Sequence, residues 1–369
     1  MTSRTSPARR ALLILASTAV ALGVAAVPAH ADRGHGHDHD HGPHPAAAPL
    51  VIAHRGASGY RPEHTLAAYR LAIRMGADYV EPDLVSTRDG VLVARHENEI
   101  SGTTDVAAHP ELADRRTTKT IDGVAVTGWF TEDLTLAELK TLRAKERLPE
   151  VRPGNTRYDG RFQIPTLEEV VDLVRRESRR RGRVIGIAPE TKHPTYFDSI
   201  GLSLEEPLVR TLRRHGLDRR NAEVVIQSFE SGNLRELARM TRVPLVQLVE
   251  RPEQVAPAQL ADIATYAAWV GPTKDLVLPR DAGGAIGAPS TLVRDAHRAG
   301  LKVVTWTMRV ENQFLPANHR LGTDPNAKGD LAGEIAAFLD AGVDALFSDN
   351  PDIAVAARDR WVRKARRAA

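Results

Sequence analysis

Three carboxylates, two histidines and two fixed cations give this chain of 369 residues its chemical character. The segment GADYVEPDLVSTRDGVLVARHENEI, residues 76–100, contains two strand-like runs, Tyr79–Leu84 and Val91–His96. Side chains alternate along a strand, so Glu81 and Asp83 face one side, Pro82 stiffens the backbone between them, and His96 closes the second run. Glu190 ends a later run, VIGIAPE. Carboxylates converging on one place repel, and without a cation at least one of them takes up a proton. A hard divalent ion with oxygen ligands is the economical partner, Ca2+ first and Mg2+ second. Zn2+ is a poorer match, because carboxylates dominate and the chain has no cysteine. The competing arrangement is a carboxylate pair bridged to Arg55 and Lys192.

His54 and His96 titrate near neutrality and suit proton exchange with a reacting group. Arg55 offers a planar fork for phosphate oxygens, and Lys192 a point charge. Cation, arginine, lysine and two histidines together describe phosphoryl transfer: charge neutralisation, positioning and proton exchange. A glycosidase needs two catalytic carboxylates but neither of these pairs.

From residue 49 onward, short apolar runs alternate with amphipathic helical patterns. PLVIAH, VIGIAPE, EVVIQSF, PLVQLV, KVVTWTM and VDALFSD read as strands, while HTLAAYRLAIRMG, TLEEVVDLVRRESRRRG and LEEPLVRTLRRHG read as helices. Near-continuously apolar strands between helices imply a parallel sheet covered by helices. About eight strands in this length predict an α/β fold of the (β/α)8, or TIM-barrel, type. A doubly wound open sheet is the runner-up, and no glycine-rich phosphate fingerprint follows the first strand to support it. A polar, glycine-rich stretch at about 97–160 reads as an insertion after the third strand. His54 and Arg55, Glu81 and Asp83, His96, Glu190 and Lys192, Gln227, Trp306 and Asp349 all stand at carboxyl ends of strands, which in a barrel share the face where active sites assemble.

The first 31 residues read as a secretory leader: Arg4, Arg9 and Arg10, an apolar stretch, then Ala29-x-Ala31. Its adjacent arginines leave Sec and Tat export both open. Residues 32–48 follow as a polar, disordered linker carrying His35, His37, His39, His41 and His44, and residues 358–369 as a basic tail. Removing the leader takes away three arginines and no acids, so the formal charge of +3 falls to zero. A neutral exported chain argues against nucleic acid as a partner and against stable membrane insertion. Without cysteine its stability rests on the core of residues 49–357.

VIAHRGASGYRPEHTLAAY, GADYVEPDLVSTRDGVLVARHE, VIGIAPETKHP, VIQSF and ALFSDNPD, in this order, resemble the sequence blocks of the glycerophosphodiester phosphodiesterases of secreted or periplasmic bacterial type. The resemblance implies a TIM barrel whose insertion helps admit substrate. It implies a divalent cation, commonly Ca2+, on Glu81, Asp83 and Glu190, with His54 and His96 as the acid–base pair. Arg55 and Lys192 would then hold the phosphate, with Gln227 and Trp306 lining the pocket. The implied substrates are small glycerophosphodiesters, cleaved to sn-glycerol 3-phosphate and an alcohol. A lysophospholipase D, a teichoic-acid phosphodiesterase and a catalytically silent metal-binding surface protein are the alternatives, and the oligomeric state stays open. HENEI and ISGTTDVA depart from the usual His-Asp and following arginine of that family, and WTMRVEN keeps the aromatic residue and Arg309 in an uncommon version.

Overall fold

A computed structural model describes residues 48–368. The expected leader and residues 32–47 of the expected linker lie outside the described residues. Thirteen strands are named here in chain order: β1 Leu50–Ala53, β2 Tyr79–Val80, β3 Asp83–Ser86, β4 Leu92–Ala94, β5 Thr117–Ile121, β6 Val124–Gly128, β7 Gly186–Ile187, β8 Glu190–Thr191, β9 Ile226–Ser228, β10 Leu245–Val249, β11 Trp269–Pro272, β12 Lys302–Met308 and β13 Ala345–Ser348.

Two of the barrel staves are interrupted. Pro82 separates β2 from β3, and Ala188-Pro189 separates β7 from β8. A proline has no N–H to give the ladder, so each stave breaks just before a carboxylate. Across the break the register continues: Val80 pairs with Ile187 and Asp83 with Glu190. Parallel pairing then runs through β9, β10, β11, β12 and β13, and β13 pairs back onto β1, which pairs with β2. The eight staves therefore close on themselves as the (β/α)8 barrel expected from the sequence.

Alternation divides each stave between two cores. Ile52, Tyr79, Ala188, Val225, Val246, Trp269, Val304 and Ala345 fill the barrel interior, while Val51, Ala53, Val80, Ile226, Val270 and Val303 pack outward beneath the helices. The helix Leu167–Arg181 shows how those helices are set. Thr166 caps it in a reciprocal box with Glu169, three arginines close its last turn, and Gly182 leaves it in the left-handed region at φ 62.

The run ending at His96 forms a strand, β4, but not a stave. It pairs antiparallel with β3, Leu84 opposite Ala94 and Ser86 opposite Leu92. Only residues 87–91 join the two, enough for a hairpin and too few for a parallel crossover. The third stave is the later pair β7 and β8. The insertion follows β4, and it is packed rather than loose. Ile100, Val106, Leu112, Leu134, Leu139 and Leu142 are buried in the outer core, around the hairpin β5–β6. The expected basic tail continues the last helix, Pro351–Ala368, with residues 363–367 exposed. No helix among the described residues is long and apolar enough to cross a membrane.

Tyr79 lies against Gly186 so closely that a Cβ there would enter its ring. Gly186→Ala should therefore destabilise the barrel by about 1–3 kcal/mol through overpacking. Denaturant unfolding measures it, and an unchanged midpoint would contradict the packing described.

Candidate active site

Glu81, Asp83 and Glu190 each offer an oxygen within 4.8 Å of the others, and all three are buried. Their positions follow from the register: Asp83 and Glu190 are paired residues of adjacent staves, and Glu81 precedes Pro82. Burial, then the charges of Asp83 and Glu190, push the Glu81 carboxyl well above its ordinary range. Burial likewise raises Glu190 to about 7, against the pull of Lys192. Asp83 stays low despite burial, because His64, Lys192 and Arg55 hold it ionised. Asp83 Oδ1, Glu190 Oε1 and Gln227 Oε1 are buried acceptors without a hydrogen-bond donor. A concentration of unmatched acceptors among carboxylates fits a hard cation with oxygen ligands.

Both predicted histidines face the same cavity, and each has a carboxylate on Nδ1. His54 Nδ1 lies 2.5 Å from Asp349 Oδ1, and His96 Nδ1 lies 2.7 Å from Glu97 Oε1. Burial, reinforced by Arg55, lowers His54 to about 4, even though Asp349 pulls the other way. Burial, then Arg55 and Lys192, holds His96 well below its ordinary value. In the unliganded site both rings are thus biased toward the neutral form. His96 arrives through the hairpin: β3 rises past the site and β4 descends beside it, with Arg95 N–H donating to Asp83 O at 2.9 Å.

Of the residues expected on the phosphate, Lys192 stands 2.6 Å from Glu190 Oε1 as an ion pair, without the alignment of a hydrogen bond. Arg55 is placed at the site but its fork is partly taken. Nη1 donates to both oxygens of Glu63 at 3.1 and 3.2 Å, while the buried Nε has no partner and sits 3.7 Å from Asp83 Oδ2. The competing salt-bridge arrangement is thus present in part, yet it leaves Asp83 Oδ1 and Gln227 Oε1 unmatched. Gln227 Nε2 donates to Glu81 Oε1 at 2.7 Å, which orients that carboxylate. Trp306 forms an apolar wall with Phe229, its Nε1 anchored on Gly271 O at 2.7 Å. A cavity of ≈ 90 Å³ gathers His54, Arg55, Glu81, His96, Glu190, Gln227 and Trp306, together with Arg309.

Three positions had no assigned part in the sequence reading. His64, fully buried, accepts or donates at Tyr69 Oη (2.7 Å) and at Asp83 Oδ2 (3.0 Å), tying that carboxylate to the first helix, Leu66–Arg74. Asp349 was noted as a strand end and proves to be the partner of His54. Arg152, from the insertion, clamps that partner: it donates to Asp349 Oδ2 at 2.6 Å and to Glu311 Oε1 at 2.7 Å. Burial raises Asp349, but Arg152 and Arg309 outweigh it and keep the carboxylate ionised.

A closed eight-stave barrel with its polar side chains gathered at the carboxyl-end face has the architecture of a (β/α)8 enzyme. More narrowly, residues 54–353 match the Glycerophosphoryl diester phosphodiesterase family, and the chain belongs to it. The glycerophosphodiester phosphodiesterase GDPD6 of Arabidopsis thaliana is 36% identical over 326 residues, 82% of this chain and 83% of that one. The glycerophosphodiester phosphodiesterase of Haemophilus influenzae is 28% identical over 343 residues, covering 83% and 88%. Among solved structures, a phosphodiesterase of Oleispira antarctica in complex with the product sn-glycerol-3-phosphate has the same fold. It superimposes with a TM-score of 0.57 at 23% identity, covering 85% of this chain and 97% of that one.

Arg152 is 4% exposed and holds two buried carboxylates. Arg152→Met should destabilise the protein by about 3–5 kcal/mol, the usual result of leaving a buried charge without its partner. Equilibrium unfolding in guanidinium tests this, and a loss below about 1 kcal/mol would show that the clamp contributes little.

Proposed function

We propose that this member of the family hydrolyses small glycerophosphodiesters, such as glycerophosphocholine and glycerophosphoethanolamine, to sn-glycerol 3-phosphate and the free alcohol. The observation that carries the reading is the meeting of His54, His96 and the three carboxylates around one cavity. A divalent cation, Ca2+ before Mg2+, would be held by Glu81, Asp83 and Glu190, and when bound supplies charge neutralisation at the phosphate.

The chain's own residues do the rest. Lys192 and the free Nε of Arg55 draw the phosphate oxygens to the carboxylate face. One histidine takes the proton of the attacking hydroxyl and the other delivers a proton to the departing alcohol; where the attacker is the neighbouring glycerol hydroxyl rather than water, water then opens the cyclic phosphate to the monoester. Asp349 fixes the ring orientation of His54 for that exchange, and Glu97 stands beside His96 Nδ1. An open cavity of ≈ 300 Å³ shares Trp306, Thr307 and Arg309 with the inner one and gives room for the alcohol arm. The arginine-led leader at residues 1–31 supports an exported enzyme.

The test is release of sn-glycerol 3-phosphate from glycerophosphocholine. His54→Ala and His96→Ala should each lower turnover by about 10²–10⁴-fold; a wild-type rate in either excludes that residue as an acid–base group. Glu81→Gln should remain folded and lose metal affinity. A folded Glu81→Gln protein that binds the cation undiminished would remove Glu81 from the ligand set.

A further inference from the structure

A chain of side chains runs from His96 to the tip of the insertion hairpin. Glu97 Oε1 lies 2.7 Å from His96 Nδ1 as an ion-pair contact without the alignment of a hydrogen bond, Glu97 Oε2 lies 2.9 Å from His193 Nε2, and His193 Nδ1 lies 2.6 Å from Asp122 Oδ2. The residues come from separate places in the fold. His96 and Glu97 follow β4, His193 follows β8 directly after Lys192, and Asp122 stands in the turn between β5 and β6.

The polarity of the chain is fixed by its chemistry. Ionised carboxylates only accept, so both nitrogens of His193 donate and that ring is an imidazolium. Burial works against this charge, but Glu97 and Asp122 outweigh it and raise the His193 pKa. One oxygen of Glu97 is thereby filled, and the other lies against His96 Nδ1.

The need for a clamp follows from exposure. Asp349, which holds His54, has a side chain only 2% exposed, whereas that of Glu97 is 50% exposed. A carboxylate so open to water has no wall to keep it on the imidazole. The Asp122-Gly123 turn, with φ 49 and 82, is the tight two-residue turn that sets Asp122 at the hairpin tip.

We propose that Glu97 is a positioning residue for His96, kept on target by His193 and Asp122, so that the insertion hairpin belongs to the catalytic apparatus. The inference rests on reading His96 as an acid–base group. It gives the departure from the family's usual His-Asp pair a physical role: the longer glutamate reaches both His96 and His193.

The experiment uses the full chain and glycerophosphocholine as probe. Glu97→Gln should lower kcat by about 10–100-fold, the usual effect of losing an orienting partner, with KM within about twofold. Glu97→Asp should restore part of the loss, and Asp122→Asn, on an exposed turn, should show a smaller loss of the same kind. In a His96→Ala background Glu97→Gln should cost nothing further, because it acts through His96. Wild-type kcat in Glu97→Gln, or an equal loss in both backgrounds, overturns the proposal and leaves a solvated surface ion cluster. Wild-type turnover in His96→Ala would sink the reading beneath it instead.

Discussion

Three buried carboxylates within 4.8 Å of one another are the constraint around which the barrel's upper face is arranged. Two unit charges about 4 Å apart repel by roughly 4 kcal/mol at an effective dielectric constant of 20. The neighbours of the trio respond to that repulsion. Lys192 pairs with Glu190, His64 holds one oxygen of Asp83, and Gln227 and the Arg55 backbone N–H both donate to Glu81. These partners reduce the repulsion without removing it, since Glu81 and Glu190 remain displaced toward their protonated forms. The unmatched acceptors of Asp83 and Gln227 mark what the protein side chains leave undone.

The barrel makes such a cluster tolerable by confining it to one end. Below it the interior is apolar, from Tyr79 to Trp269 and Phe347, and the staves there are continuously paired. The two prolines, Pro82 and Pro189, interrupt adjacent staves just beneath the ligand carboxylates. Glu190 N–H still reaches Pro82 O at 3.1 Å, and Gln227 N–H reaches Pro189 O at 2.9 Å. The carbonyls stay paired while the missing donors loosen the ladder where the side chains must converge. The insertion closes the same face from above, with Arg152 on Asp349 and Arg147 on Glu63.

Much of this was legible in the sequence because the relevant signals are short-range. Period-two alternation put Glu81 with Asp83, and the carboxyl ends of successive runs put His54, Glu190, Gln227 and Trp306 on one face. His96 was placed at the site for the wrong topological reason. It lies there because a hairpin returns it, and the connection at residues 87–91 is itself too short for the stave that was expected. The rest depended on distance along the chain. His64 hides in the lead-in to a helix, and its contact with Asp83 spans 19 residues. Arg152 reaches Asp349 across 197 residues from a segment without periodicity. Arg55 was read as a free fork, yet Glu63, eight residues on, takes part of it.

The central claim is that the carboxylate trio is a cation site whose charge balance is incomplete in the metal-free protein. Calorimetric titration of the metal-free chain with Ca2+ near pH 7, in buffers of different ionisation enthalpy, tests it most directly. The account predicts one ion bound per chain with net release of protons, because Glu190, raised to about 7, and Glu81, raised well above its ordinary range, must ionise to act as ligands. Binding without proton release, or no binding by the folded wild-type chain, would contradict it.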